Sequence, residues 1–278
     1  SFDELHGDRM FKDDLAIVPG LGVLDGRRVM LVGMHRGRDV NERYLSNAGC
    51  VHPEGYRKAL RKMKLAEKFG LPVVTFIDTK GAYPGIGSEE RGVALAIAEN
   101  MREMSRLRVP VICVVIGGGG SGGALGIGCG DRVLMLRYAY YSVISPEGCA
   151  SILWRYGSRK EEAADELKLT SKDLLGYKLV DEVVMEPLGG AHREVGRRGD
   201  LLGEALVRNL DEPEHVPADR LVADRQEKFR RYGEFLEGVN PADYLPKPEA
   251  DAEETAEEEQ VVAVGENADA SADSLAQQ

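Results

Sequence analysis

Two glycine-rich stretches are best placed to do chemistry without a charged side chain. The first is DTKGAYPGIG, Asp78 to Gly87, and the second is GGGGSGGALGIG, Gly117 to Gly128. Each follows a run of apolar residues, LPVVTFI and VPVICVVI, that reads as a buried strand. Turns that lead from parallel strands into helices are where open sheets bind ligands. Glycine lets a ligand approach bare backbone, and amides at a helix start favour negative charge. Two such turns on adjacent strands could aim two N–H groups at one carbonyl oxygen. That arrangement is an oxyanion hole, where removing one donor costs about 2.7–4 kcal/mol in the transition state.

Other chemistries fit these residues less well. A phosphate-binding loop of the G-x-x-x-x-G-K-[ST] kind needs a lysine and a hydroxyl that GGGGSGGAL lacks. A dinucleotide fingerprint can be drawn through so many glycines by chance, and no acidic residue closes a following strand about twenty positions on. Ser121 could be a nucleophile, but His6, His35, His52, His192 and His215 offer it no obvious base. A helix-capping role explains Ser121 equally well. Close helix–sheet packing is the bland alternative for the glycines themselves.

The elements that must position these turns alternate along the chain. Residues 14–36 read as two strands joined by the turn Asp25-Gly26. HPEGYRKALRKMKLAEKFG is an amphipathic helix, with Pro53 in its first turn and Gly70 as its C-terminal cap. A second helix is expected over 88–107, with Ser88 as N-cap and Glu89 and Glu90 in its first turn. SGGALGIGCG is expected to be helical, DRVLMLRYAYYSVIS to give two strands, and PEGCASILW to open a short helix at Pro146. Shorter helical pieces, a strand near DEVVMEP and a charged helix from about Ala218 to Glu237 complete the pattern. Strands alternating with helices imply an α/β fold with a largely parallel sheet.

The net charge of -11 is not spread evenly. From Lys247 onward there are ten acidic residues and one basic residue. The remainder is therefore close to neutral, which argues against nucleic-acid binding. The expected division is a folded domain over 1–237 and an acidic tail over 238–278 too poor in apolar residues to order itself. No apolar run approaches the ~18 residues that span a bilayer, so no membrane partner is expected. The polar first residues do not read as a signal peptide. The four cysteines are scattered and form no C-x-x-C, so neither a metal site nor a disulfide framework is expected, and the cytoplasm is the expected setting.

The segments 54–92 and 100–154, together with LDGRRVMLVGMHRGRD and EPLGGAHR, resemble the carboxyltransferase alpha subunit of bacterial and plastid multi-subunit acetyl-CoA carboxylase. The resemblance covers about residues 1–236 and is far more specific than a glycine-rich motif. It implies a crotonase-type fold, a superhelix of repeated strand–strand–helix units. It implies a carboxyl group moved from carboxybiotin on the biotin carboxyl carrier protein to acetyl-CoA, giving malonyl-CoA. It also implies partners: a zinc-ribbon-bearing beta subunit, the carrier protein and biotin carboxylase, with the carboxyltransferase an alpha2beta2 heterotetramer.

On that reading the donors are the backbone N–H groups of Gly81, Ala82, Gly123 and Ala124, and Gly122 permits the close approach. Tyr83 and Tyr141 could flank biotin, with core packing the safer role for Tyr141. Arg36, Arg38 and Arg91 could meet a phosphate of coenzyme A or an acid of the beta subunit. Two residues depart from the family pattern. Lys80 stands where proline is usual, and could attract the carboxylate of carboxybiotin, while Gly118 stands where an acid is usual. The alternatives are a non-catalytic scaffolding paralogue, which those departures would suit, and a stand-alone crotonase-like acyl-CoA enzyme, which would need a catalytic Glu in one of the turns.

Overall fold

Asp25 and Gly26 both take left-handed backbone angles, φ 48° and 78°, as a two-residue hairpin turn requires. They join the first long pair of strands, as the sequence pattern predicts. The computed structural model describes residues 2–187 and 195–233. Its strands are β1 (Phe2–Glu4), β2 (Ile17–Leu24), β3 (Arg27–Met34), β4 (Val73–Thr79), β5 (Val111–Gly120), β6 (Arg132–Leu136), β7 (Tyr140–Ser142) and β8 (Glu182–Val184). Its helices are α1 (Val40–Leu45), α2 (Pro53–Phe69), α3 (Ile86–Glu90), α4 (Val93–Met104), α5 (Ser121–Leu125), α6 (Pro146–Trp154), α7 (Lys160–Leu167), α8 (Ser171–Gly176), α9 (Val195–Glu214) and α10 (Ala218–Arg230).

One sheet runs in the order β1-β2-β3-β4-β5-β6-β8, and β7 pairs with the end of β5. The first three strands are antiparallel, and the pairings from β3 onward are parallel. The segment Val111–Val115 is fully buried, as a central parallel strand covered on both faces should be. Pro53 opens α2 and Gly70 closes it with φ 65°. The helices α3 and α4 connect β4 to β5, and α5 connects β5 to β6, so the carboxyl ends of β4 and β5 lie side by side.

Four expectations need correction. The helix expected over 88–107 is two, broken at Gly92 with φ 77°. Ser88 is buried inside the first of them, and Gly85 takes the N-cap position. The four glycines of 117–120 continue β5 instead of forming a turn, because β7 supplies a partner strand there. The shorter helical pieces expected after Trp154 are present as α7 and α8, and α9 follows the strand as a further long helix that Gly196, Gly199, Gly203 and Pro213 disguise. The last helix stops at Arg230, before Glu237. The compact unit ends at Gly233. The acidic tail and most of EPLGGAHR lie outside the described residues.

Arg225 is the buried side chain that fastens α10 to the amino-terminal ends of β5 and β6, and Lys228 adds a bond to the Asp131 carbonyl at 3.1 Å. Arg225 is 1% exposed. Its Nε and Nη2 donate to the two oxygens of Asp131 at 2.8 and 2.7 Å. The remaining donors reach the carbonyls of Met104, Leu107 and Val109 at 2.7–2.9 Å. All five guanidinium protons are thereby used. Arg225→Met leaves Asp131 buried without its counter-charge, so stability should fall by about 3–5 kcal/mol. Urea unfolding of the variant checks this, and a loss under about 1 kcal/mol would contradict it.

Candidate active site

The pairing of β4 with β5 changes register before it ends. Ile77 faces Val115, yet the next pair is Thr79 with Gly119. The extra residues on β5 form a bulge, which leaves backbone groups without ladder partners. Asp78 fills that gap: its Oδ1 accepts from the Gly118 N–H at 2.8 Å and from Arg36 Nη1 at 3.2 Å. A side chain at Gly117 would collide with this carboxylate, 2.7 Å from its Cγ. Arg36, a candidate for an anionic ligand, is therefore paired at the base of the first turn.

The two glycine turns touch backbone to backbone. A Cβ at Gly120 would overlap the carbonyl of Lys80, and one at Gly123 would lie 2.5 Å from the Gly81 carbonyl carbon and against the Ala82 nitrogen. Glycine is obligatory at both positions because of the packing of one turn on the other. Gly122 is different. A Cβ there would meet nothing nearer than Ile97 Cγ2 at 4.0 Å. Among the described residues its bareness serves no close neighbour, and it lies in the first turn of α5.

Which amides are available follows from helix geometry. α5 begins at Ser121, with Gly120 as N-cap. The N–H groups of Ser121, Gly122 and Gly123 have no carbonyl four residues back within the helix. Ala124 is fully buried, and the ladder directs its N–H to the Gly120 carbonyl. The amides of α5 without an intrahelical acceptor are thus those of Ser121, Gly122 and Gly123. In the first turn the Gly81 N–H is taken by Thr79 Oγ1 at 3.0 Å, and the Tyr83 N–H by the Val51 carbonyl at 3.0 Å. Among the described residues the Ala82 N–H has no acceptor, and it lies against Gly123. Gly81 shapes the first turn by its conformation, with φ 152°.

Side chains behind the turns hold them in place. Tyr56 Oη donates to the Gly123 carbonyl at 3.0 Å, and Asn100 Nδ2 to the Gly126 carbonyl at 2.9 Å. Thr75 Oγ1 donates to the Ile127 carbonyl at 2.8 Å. Tyr83 is half-buried and stacks on His52, ring centroids 4.2 Å apart. His52 Nδ1 is 2.8 Å from the buried Ser88 Oγ, and burial pushes its imidazole below the ordinary value. Arg91 Nε donates to Glu54 Oε1 at 2.5 Å. Glu54 is buried; desolvation opposes its charge, but the bonds from Arg91 and the charge of Arg57 keep its carboxyl below the usual range. Arg91 thus braces α3 against α2 and is committed to an internal partner. Lys80 is exposed at the rim, and Tyr141 packs against the core.

Sequence reasoning found the turns but missed Asp78, Tyr56, Asn100 and Tyr140, which hold or cover them. Asp78 opens the first glycine-rich stretch, but only the three-dimensional pairing brings its carboxylate, and the side chains of Tyr56, Asn100 and Tyr140, to the glycines.

The fold and site define a crotonase-type α/β protein of the carboxyltransferase kind. The chain overlays on a Pseudomonas malonate decarboxylase hetero-tetramer in complex with coenzyme A with a TM-score of 0.62, at 16% identity over 78% of this chain and 89% of that one. It overlays on transcarboxylase 12S with a TM-score of 0.55, at 18% identity, over 81% of this chain and 39% of that one. Residues 1–233 match the family described as acetyl co-enzyme A carboxylase carboxyltransferase-like. The chain is 58% identical over 237 residues to the acetyl-coenzyme A carboxylase carboxyl transferase subunit alpha of Geobacter sulfurreducens, covering 85% of this chain and 74% of that protein. It is also 58% identical over 234 residues to the subunit of the same name from Xanthomonas campestris, covering 84% and 73%. The chain belongs to the acetyl-CoA carboxylase carboxyltransferase family.

The contrast between neighbouring glycines yields a test. Gly123→Ala should destabilise the fold, because its methyl meets rigid backbone of the first turn. Gly122→Ala should leave thermal stability unchanged or slightly higher, since alanine favours helix by up to about 1 kcal/mol, yet lower carboxyl transfer by roughly tenfold or more. Calorimetric melting beside initial rates separates the two effects. Full activity in Gly122→Ala would remove Gly122 from the site.

Proposed function

We propose that this chain is the alpha half of the carboxyltransferase of acetyl-CoA carboxylase. The reaction breaks the N–C bond of carboxybiotin, and the electron pair passes into the ureido group, whose oxygen becomes anionic. The freed nitrogen can then take a proton from the methyl group of acetyl-CoA. The resulting enolate forms a new C–C bond to the released carbon dioxide, giving malonyl-CoA. The protein must hold two developing anions, and this chain is assigned the one on biotin. The N–H groups of Ala82, Gly122 and Gly123 are its donors. Backbone amides are rigid, neutral and unable to titrate, so they reorganise little as charge develops.

The observation that carries this reading is the backbone-to-backbone contact of the two turns, with open space at Gly122 alone of the site glycines 120, 122 and 123. The second anion, on the enolate, is assigned to a zinc-ribbon-bearing beta subunit that binds acetyl-CoA. Carboxybiotin arrives on the biotin carboxyl carrier protein, charged by biotin carboxylase. We assign residues 1–237 to the catalytic domain and 238–278 to an acidic segment outside the chemistry. Assembly as alpha2beta2 and a cytoplasmic setting complete the reading; among the described residues no helix is long and apolar enough to cross a membrane. A stand-alone crotonase-like enzyme would need a free acid in a turn. The Asp78 carboxylate is instead committed to Gly118 and Arg36.

The decisive experiment co-purifies this chain with a beta subunit and measures malonyl-CoA formed from acetyl-CoA and carboxybiotin. The complex should be active and the chain alone inactive. An assembled but inactive complex would favour a scaffolding paralogue. Within an active complex, Lys80→Met should raise the apparent KM for the carboxybiotin donor several-fold, and added salt should shrink the difference, as for an exposed charge. An unchanged donor KM would leave Lys80 without a role in binding.

A further inference from the structure

We infer that Tyr140 faces the substrate in this site, its phenol hydroxyl donating a hydrogen bond to the carboxylate that is transferred. The inference rests on the carboxyltransferase reading above. β7 runs parallel to the end of β5, with Tyr140 opposite Gly118. A Cβ at Gly118 would lie 2.6 Å from Tyr140 Oη, 2.9 Å from its Cζ and 3.0 Å from the Thr79 carbonyl oxygen. The hydroxyl therefore occupies the volume in which any side chain at position 118 would begin.

That volume is the seam between the two turns. Thr79 ends β4 and Lys80 follows it. Gly120, two residues beyond Gly118, rests on the Lys80 carbonyl. Among the described residues the Tyr140 hydroxyl has no hydrogen-bond partner, and the residue is 37% exposed. Its neighbour Tyr141 makes a useful contrast: it covers Gly119 and packs into the core. Covering a glycine strand requires only a ring. A hydroxyl aimed at the seam, without a partner in the chain, has unused donor capacity.

The chemistry at the seam suits an anion. A phenol is a neutral donor, and Gly118 brings no carboxylate to the spot. The Asp78 carboxylate is turned to the Gly118 N–H and to Arg36. Lys80 adds an exposed positive charge at the rim. Donation from Tyr140 to a carboxylate oxygen would distinguish the carboxylated from the uncarboxylated substrate, which makes Tyr140 a specificity-determining residue.

The test uses the complex of this chain with its beta subunit and two probes that differ by one carboxylate, malonyl-CoA and acetyl-CoA. Tyr140→Phe keeps the ring over Gly118 and removes the donor. It should weaken malonyl-CoA binding by roughly 10-fold or more, as for a hydrogen bond to a charged group, and leave acetyl-CoA binding unchanged. Gly118→Ala, whose methyl displaces the hydroxyl, should act in the same direction. Unchanged affinity for both esters in Tyr140→Phe, or an equal loss for both, would overturn the inference. A complex with Tyr140-dependent preference for malonyl-CoA but no carboxyl transfer would sink the carboxyltransferase reading and leave this one standing. Normal turnover with an indifferent Tyr140→Phe would do the reverse. A complex that binds neither ester would overturn both.

Discussion

The contact of one backbone with another, between Lys80–Ala82 and Gly120–Gly123, is the constraint from which the rest of the site follows. Two parallel strands in a sheet run about 4.8 Å apart, and their chains normally diverge once the ladder ends. Here they stay together past its end. A Cβ on either Gly120 or Gly123 would forbid this. The bulge in β5 is the local adjustment that brings Gly119 opposite Thr79. Asp78 then satisfies the amide that the bulge exposes, which ties the chemistry of the turn to the register of the sheet.

The surroundings of that contact are polar groups used for geometry. Tyr56, Asn100 and Thr75 each spend a donor on a carbonyl at or just after α5. Leaving a buried carbonyl such as that of Gly123 unsatisfied would cost about 1–3 kcal/mol. These bonds fix the position of a five-residue helix that could not be stable by itself. Ser121 carries part of the cost: a non-glycine residue at φ 50° is a strained conformation, of order 1–3 kcal/mol. The strain sits at the corner where the strand becomes the helix, and it turns the following amides away from the sheet.

Much of this was legible in the sequence, for definite reasons. Asp25-Gly26, Pro53 and Gly70 have one dominant structural use each, and the structure employs them so. The apolar runs before the two glycine stretches could only be buried strands. The errors come from residues whose local preference is weak or is overridden. Four consecutive glycines have no intrinsic strand preference, and only Tyr140–Ser142 alongside makes them a strand. Gly92 breaks a helix whose hydrophobic pattern continues across it. In α9, Gly and Pro lower helix propensity, but Ala205, Leu206 and Leu210 bury one face and decide the outcome. A sequence does not reveal where the first helical turn begins, and so it does not mark which amides after Gly120 lack a helical acceptor.

The division of labour between the two ends of the sheet follows from the same geometry. At the amino-terminal ends of β5 and β6 the polar groups are saturated: Arg225 uses every proton, and Asp131 accepts from the Val111 N–H as well at 2.7 Å. The polar atoms of this pair are committed to partners within the fold. At the carboxyl ends the amides of Ala82, Gly122 and Gly123 have no acceptor among the described residues. A backbone amide left unpaired is tolerable only where water or substrate can reach it. Ala82 and Gly122 are half-exposed and meet that condition, whereas Gly123 is buried. An anionic oxygen entering there would gain bonds that the fold has left unmade, without first breaking any. On the proposed reading, the stability lost by leaving those amides unpaired becomes available as differential binding of the charge that develops in the transition state.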